Sequence, residues 1–278
     1  RASTGIADAL SLASSVADEL SIAPEAVWSV STGIIGWHLP VPEMTAALAG
    51  MVRELRSGSA LPVARAIMTT DSFPKVRRVQ VGGGSIVGIA KGAGMIEPDM
   101  ATMLVFLLTD LSVGRESMRR LLPEAVGPSF NAISVDSDMS TSDMVLLLSS
   151  QRAGLVDEEP FGAALAEVCG LLAQDVVRNG EGTGHVMQVT VTGAAGDAEA
   201  RGVAKAVVNS PLVKTAIYGN DPNVGRLISA VGDHMGSSGL AIDPDLVRLS
   251  IGGELVYRDG AFAINRDTEI LLSDYLKS

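Results

Sequence analysis

Apolar positions recur at helical spacing from Ile6 to Leu20, and Ala26–Val30 then reads as a short strand. Pro42 opens a second helix that runs to near Arg56. Proline sits well in a first turn, where its missing N–H would have had no partner. Arg77–Val81 and Ser85–Ile89 flank a run of glycines and read as a hairpin. From Lys91 to Asp99 the chain is irregular, with glycines, a proline and alternating charge. At Thr102 it changes abruptly into an apolar run of strand length ending at Thr109. Further on, the pattern predicts a helix around Glu116–Leu122, a buried strand over Met144–Leu148 and the longest helix over Phe161–Val177. A strand over Val186–Val191, helices over Asp197–Val207 and Asn223–Val231, and a second hairpin over Leu246–Tyr257 follow. The end from Leu271 reads as an amphipathic helix. Strands and helices alternate without a regular βαβ rhythm, which predicts an α+β fold with sheets sandwiched by helices.

The break at Thr102 carries chemistry. A threonine at the first position of a buried strand, after Ala101 and a Gly/Pro-rich loop, suits an enzyme that makes its nucleophile by cutting its own backbone. The Thr102 hydroxyl would attack the Ala101 carbonyl. Once the bond is broken, the new α-amine can serve as base for its own hydroxyl. That amine, with an ordinary pKa of about 8, suits proton transfer near neutral pH.

Composition narrows the rest. With 21 basic and 32 acidic residues the net charge is −11, which argues against a nucleic-acid-binding surface. Apolar residues make up 47% and aromatic residues 4%, so the core is built from Ala, Val, Leu, Ile and Met. The single Cys169 lies in an apolar helical stretch and reads as a buried structural thiol, in keeping with a reducing, cytoplasmic setting. The opening Arg1-Ala-Ser-Thr-Gly5 and the ending without a following strand read as a piece of a longer protein.

Several motifs invite bolder readings that their neighbours do not support. Gly82-Gly-Gly84 lacks the Lys-Ser/Thr ending of a phosphate loop and reads as a hairpin turn. Gly180-Glu-Gly182 follows the longest helix and resembles a C-cap, but a glutamate between two glycines is unusual for a cap alone. Asp136–Asp143 lacks the glycine and the terminal glutamate of a calcium loop, and reads as side-chain-to-backbone turns. His38, His185 and His234 share no metal-ligand spacing, so no metal site is expected.

Blocks running in order along the chain add up to more than their parts. They are Ser3-Thr-Gly5, Ala66–Asp71, Gly88–Met95 continuing to Met103, Phe130-Asn131 with Asp136–Asp143, Gly180–Gly182, Asn209–Thr215 and Asp221–Arg226. In these blocks the chain resembles the ornithine acetyltransferases, also called glutamate N-acetyltransferases, self-cleaving enzymes of arginine biosynthesis. The resemblance implies an ornithine-acetyltransferase-like self-cleaving fold. It divides the chain into an alpha-chain portion, 1–101, and a beta-chain portion, 102–278, cut between Ala101 and Thr102. It gives Thr102 the role of nucleophile, Thr4 and Gly5 that of oxyanion hole, and Thr69, Lys91, Thr102 and Glu181 the substrate contacts. N-acetylornithine, ornithine and glutamate are the implied substrates and products, with no cofactor and an α2β2 or larger assembly. Without the resemblance, Thr4 reads as a helix N-cap ahead of Ile6. The chain departs from the family pattern at Ser3, at Thr183-Gly-His185 and at Val224, which bears on the preferred acyl donor and acceptor. Two other readings stay open: an amidohydrolase or aminopeptidase on the same scaffold, and an uncleaved amino-acid-binding protein.

Overall fold

The computed structural model describes residues 4–97, 103–139 and 143–278. At its centre is a four-stranded sheet of β1 (Lys75–Val81), β2 (Gly84–Lys91), β3 (Leu104–Thr109) and β4 (Met144–Ser149), in that order. β1, β2 and β3 are antiparallel neighbours, and β4 runs parallel to β3. The parallel step needs a crossover, and α4 (Arg115–Val126) lies within it. Strands from both sides of the expected cut therefore share one sheet, since β2 pairs with β3 along its length.

Against β1 and β2 lies α5 (Glu158–Arg178), the longest helix among the described residues. It is long and apolar enough to cross a membrane, but here it is a core helix. Phe161, Leu165, Val168, Cys169, Leu172 and Val176 are fully buried in the main core with Ile86, Val105 and Leu107. Gly88 lets the helix approach: a Cβ there would stand 2.5 Å from Leu172 Cδ1 and 3.1 Å from Val168 Cγ2. Burial pushes the Cys169 thiol up to about 12, so it packs as an apolar group.

Around this core, α1 (Gly5–Leu20) packs on α2 (Val41–Arg53), and α3 (Leu61–Ala66) meets β1 and β2. α6 (Asp197–Asn209), α7 (Pro211–Tyr218) and α8 (Val224–Ser237) pack on one another. A second, antiparallel sheet holds β5 (Leu249–Ile251), β6 (Glu254–Arg258) and β7 (Ala261–Phe262). With α9 (Arg266–Lys277) and α8 it encloses a small core of Val224, Val256, Tyr257 and Leu272.

Two expected strands are absent. Residues 26–30 end a 3₁₀ turn and continue as irregular chain, and residues 186–191 pair with no strand among the described residues. Alternating apolar residues favour a strand only where another strand completes the hydrogen-bond ladder, and here Trp28 and Val186 are exposed. The helices α3 and α7 and the strand β7 lie where the pattern gave no element. The N-cap reading of Thr4 fails too. Its backbone is helical, and its hydroxyl donates to Asp8 Oδ2 at 3.0 Å instead of capping the first turn.

Candidate active site at the end of the central sheet

β2 ends at Lys91, which is 2% exposed, and the chain then enters the irregular loop. The Lys91 ammonium donates to Thr32 Oγ1 at 3.1 Å. Burial lowers its pKa, while Asp71 and Asp143 pull it back up and Lys75 lowers it further. A buried cation at a strand end is suited to an anionic group of a ligand.

Asp71 stands beside it as the hub of a network. One carboxylate oxygen accepts from the Gly92 N–H at 2.8 Å and from Lys75 Nζ at 2.5 Å, and the other accepts from the Thr69 N–H at 3.0 Å. Burial pushes this carboxyl up, but the three donors outweigh it and hold the pKa below the usual carboxylate value. Lys75 also donates to Asn179 Oδ1 at 2.6 Å, which joins the start of β1 to the end of α5. One turn earlier on α5, Asp175 receives a two-pronged contact from Arg77 at 2.7 and 2.6 Å.

From Gly92 onwards the loop is anchored residue by residue. The Glu181 N–H donates to the Ala93 carbonyl at 2.8 Å, and the Glu181 side chain lies over Gly94. A Cβ on Gly94 would stand 2.7 Å from Glu181 Oε1, so glycine is needed for this approach. Asp136 accepts from the N–H groups of Met95 and Ile96 at 2.6 and 3.0 Å. Met95 itself is held at φ +55°, a left-handed conformation that a methionine rarely adopts. Glu97 is held by Lys205 at 2.8 Å and by Asn209 at 3.0 Å. The acidic cluster thus shapes a loop, as its sequence suggested.

On the far side of the expected junction, Asp143 Oδ1 accepts from the Met103 N–H at 2.8 Å. Lost hydration raises this carboxyl to about 6, against the opposing pull of the Met103 N–H and Lys91. The residue as a whole is nevertheless exposed.

The structure therefore brings Lys91, Glu181 and the Thr69 backbone to one loop, through Asp71 and the 91–94 segment. Ala101 and Thr102 lie outside the described residues. Thr4 and Gly5 are not part of this cluster: the Thr4 hydroxyl is exposed and bonds to Asp8 and, at 2.9 Å, to His38 Nδ1. Sequence reasoning missed Thr32. The signal was present, because Ser31-Thr32-Gly33 repeats the triplet Ser3-Thr4-Gly5. Asp71, Lys75, Asn179 and Asp143 carried no such signal as individual site residues. His185 holds a structural place, its Nε2 within 2.9 Å of Asn220 Oδ1 and of the Leu276 carbonyl. A cavity of about 850 Å³ adjoins the site between α5, α6 and residues 186–191, with Glu181 and His185 on its wall.

A family model described as the ArgJ family matches residues 1–277. The chain belongs to the ArgJ family. It is 46% identical over 228 residues to a Nostoc sp. protein named arginine biosynthesis bifunctional protein ArgJ 2, covering 82% of this chain and 59% of that protein. A Rhodococcoides fascians protein named arginine biosynthesis bifunctional protein ArgJ is 41% identical over 270 residues, covering 96% of this chain and 66% of the relative. Glutamate N-acetyltransferase Oat2 of Streptomyces clavuligerus is 44% identical over 227 residues, covering 82% of this chain and 57% of Oat2. Among solved structures, the ArgJ of Bacillus halodurans matches with a TM-score of 0.56 and 36% identity, over 62% of this chain and 82% of that one. The expected fold is thus the ArgJ fold. The chain spans about 60% of the length of such curated relatives, the Nostoc protein at 59% and a Chlorobium chlorochromatii ArgJ at 62% among them.

Proposed function

We propose that this ArgJ-family chain is the core of a self-processing N-acyltransferase that moves an acetyl group from N2-acetylornithine to glutamate. The observation that carries the reading is the buried Lys91 ammonium, held at a strand end before the loop against which Glu181 lies. A cation at the start of this loop and an anion laid against it match the carboxylate and ammonium of an amino acid. The names of the relatives, arginine biosynthesis bifunctional protein and glutamate N-acetyltransferase, agree with it.

In the processing step, Thr102 Oγ attacks the Ala101 carbonyl carbon and the peptide nitrogen leaves, giving an ester. The departing nitrogen takes the hydroxyl proton and becomes the free amine of Thr102; water then hydrolyses the ester, so that Ala101 ends as a carboxylate and the Thr102 hydroxyl is restored. In turnover, this amine takes the hydroxyl proton as Oγ attacks the acetyl carbonyl of acetylornithine. The proton passes to the departing amine of ornithine, leaving an acetyl ester on Thr102. The amine of glutamate then attacks that ester, and the proton returns to Oγ. The loop anchored through Gly92–Glu97 supports a fixed approach to the junction. The oxyanion donors that we assign are the Thr32 hydroxyl and the Gly33 N–H, in place of Thr4 and Gly5. Thr32 Oγ1 already accepts from Lys91, so its own proton is free for a developing oxyanion. The pairing of β2 with β3 would keep the 1–101 and 102–278 portions together after the cut, in a protein working without cofactor as an α2β2 or larger assembly.

Mass spectrometry of purified protein tests processing: the wild type should give a fragment beginning at Thr102, and Thr102→Ala should give none. Two fragments from Thr102→Ala would sink the mechanism. Initial rates against acetylornithine at several glutamate levels should give parallel lines, whereas intersecting lines would mean a ternary complex. Product analysis without glutamate separates transfer from hydrolysis, and an uncleaved chain that still holds ornithine would be a binding protein.

A further inference from the structure

Lys75 and Lys91 are two buried ammonium groups at one end of the central sheet. Lys75 stands opposite Ala90 in the β1–β2 ladder and Lys91 is the next residue, so their side chains leave opposite faces of the sheet. Between them, at the sheet's end, is the carboxylate of Asp71, while Asp143, just before β4, also bears on Lys91. Asp71 takes the Gly92 N–H at 2.8 Å, and Gly92 is bonded directly to Lys91. It is therefore placed to pair with either lysine. Lys75 has it, at 2.5 Å, with both side chains fully buried. Asn179 fixes the choice by accepting a second bond from Lys75 at 2.6 Å, and its amide also donates to Ser72 Oγ. Among the described residues, Lys91 has Thr32 as its hydrogen-bond partner.

We propose that Lys75, anchored by Asn179, is a positioning residue that occupies the Asp71 carboxylate and so leaves the Lys91 ammonium available to Thr32 and to the carboxylate of an amino-acid substrate. A buried ammonium next to an unclaimed buried carboxylate pairs with it, because both have lost their water. Without Lys75, Asp71 would capture Lys91, draw it from Thr32 and hold it against the substrate. Burial and the charge of Lys75 oppose protonation of Lys91, whereas Asp71 and Asp143 favour it. Lys91 carries the ligand contact in this picture, and Lys75 acts only through it.

The kinetic half of the inference rests on the proposed acyl transfer, and the titration half does not. The experiment compares wild type, Lys75→Met and the double variant Lys75→Met/Asp71→Asn in the full-length protein. The Lys91 side-chain carbon is followed by NMR against pH and assigned through Lys91→Arg. In Lys75→Met the Lys91 titration should move up, and KM for glutamate should rise roughly tenfold with a smaller change in kcat, as expected for a lost charge-assisted contact. The double variant removes the freed carboxylate charge while keeping an acceptor for the Gly92 N–H. It should return both the titration and KM towards wild type. Equal impairment of the single and double variants would reduce Lys75 to a structural role and overturn the inference, as would an unmoved Lys91 titration in Lys75→Met. A wild type that transfers no acetyl group would instead overturn the acyltransferase reading, with the titration still deciding about Lys75. Lys75→Gln keeps a donor for Asp71 without the charge, and gives the same comparison if Lys75→Met does not fold.

Discussion

Gly88→Ala tests the packing on which the site depends. Gly88 lies in β2 beneath α5, and a Cβ there would meet Leu172 Cδ1 at 2.5 Å, Val168 Cγ2 at 3.1 Å and Leu107 Cδ2 at 3.2 Å. Two effects oppose each other. Replacing a strand glycine by alanine reduces the entropy lost on folding, which contributes about 0.5–1 kcal/mol of stability. Overpacking a well-filled core costs about 1–3 kcal/mol. Leu172 is fully buried and cannot swing into solvent, so the clash wins, with a net loss of about 1–2 kcal/mol. The helix must yield, and α5 carries Asp175, Asn179 and, just beyond it, Glu181. Urea unfolding of the two proteins gives the stability difference. In the double variant Gly88→Ala/Leu172→Ala the closest clash is gone, so the two losses should not add, and the cycle should show a favourable coupling. A Gly88→Ala protein as stable as wild type, or losses that simply add with Leu172→Ala, would mean that α5 does not lie on β2 in this way.

Arg77→Met should cost about 1–2 kcal/mol in urea unfolding, because it strips a buried Asp175 of its two-pronged partner, while the 41% exposure of Arg77 keeps the loss below that of a fully buried pair. A loss below about 1 kcal/mol, the range of surface pairs, would show that the contact is not made in solution. Asp143 contributes a pH dependence of opposite sign to most carboxylates: its pKa is raised to about 6, so the folded protein keeps a proton that the unfolded chain has released. Its contribution is most favourable below the unfolded value and falls as pH rises through about 6, so stability relative to Asp143→Asn should decline between pH 4 and 6. A difference independent of pH would refute the raised pKa. Thr32→Ala should lower turnover on the order of a hundredfold with little change in substrate affinity, as an oxyanion donor does. Thr4→Ala should leave turnover near wild type, and the reverse ranking would return the oxyanion role to Thr4. Gly94→Ala should raise KM without large loss of stability, since the new methyl displaces the end of a flexible Glu181 side chain; an unchanged KM would remove Glu181 from the ligand site.

Much of this protein is written locally. The hairpin of β1 and β2, the apolar run of β3 and the long helix α5 follow from periodicity, because each is held by contacts that its own pattern demands. β4 was legible as a strand but not as buried: it is the edge of its sheet, half-buried, with Leu148 exposed. The loop after Lys91 is legible for the same reason, its glycines and proline forbidding regular structure. The tertiary structure decided what depends on a distant partner. Residues 26–30 and 186–191 have strand-like patterns but no neighbouring strand, and a ladder cannot be read from one of its sides. Ser3-Thr-Gly5 and Ser31-Thr-Gly33 are the same triplet, and only folding carries Thr32, and not Thr4, to the Lys91 ammonium. Likewise, Lys75 and Asn179 lie 104 residues apart, with nothing local in either to announce the other. Burial makes the pair matter, since a charge removed from water must find its partner wherever the chain has brought one.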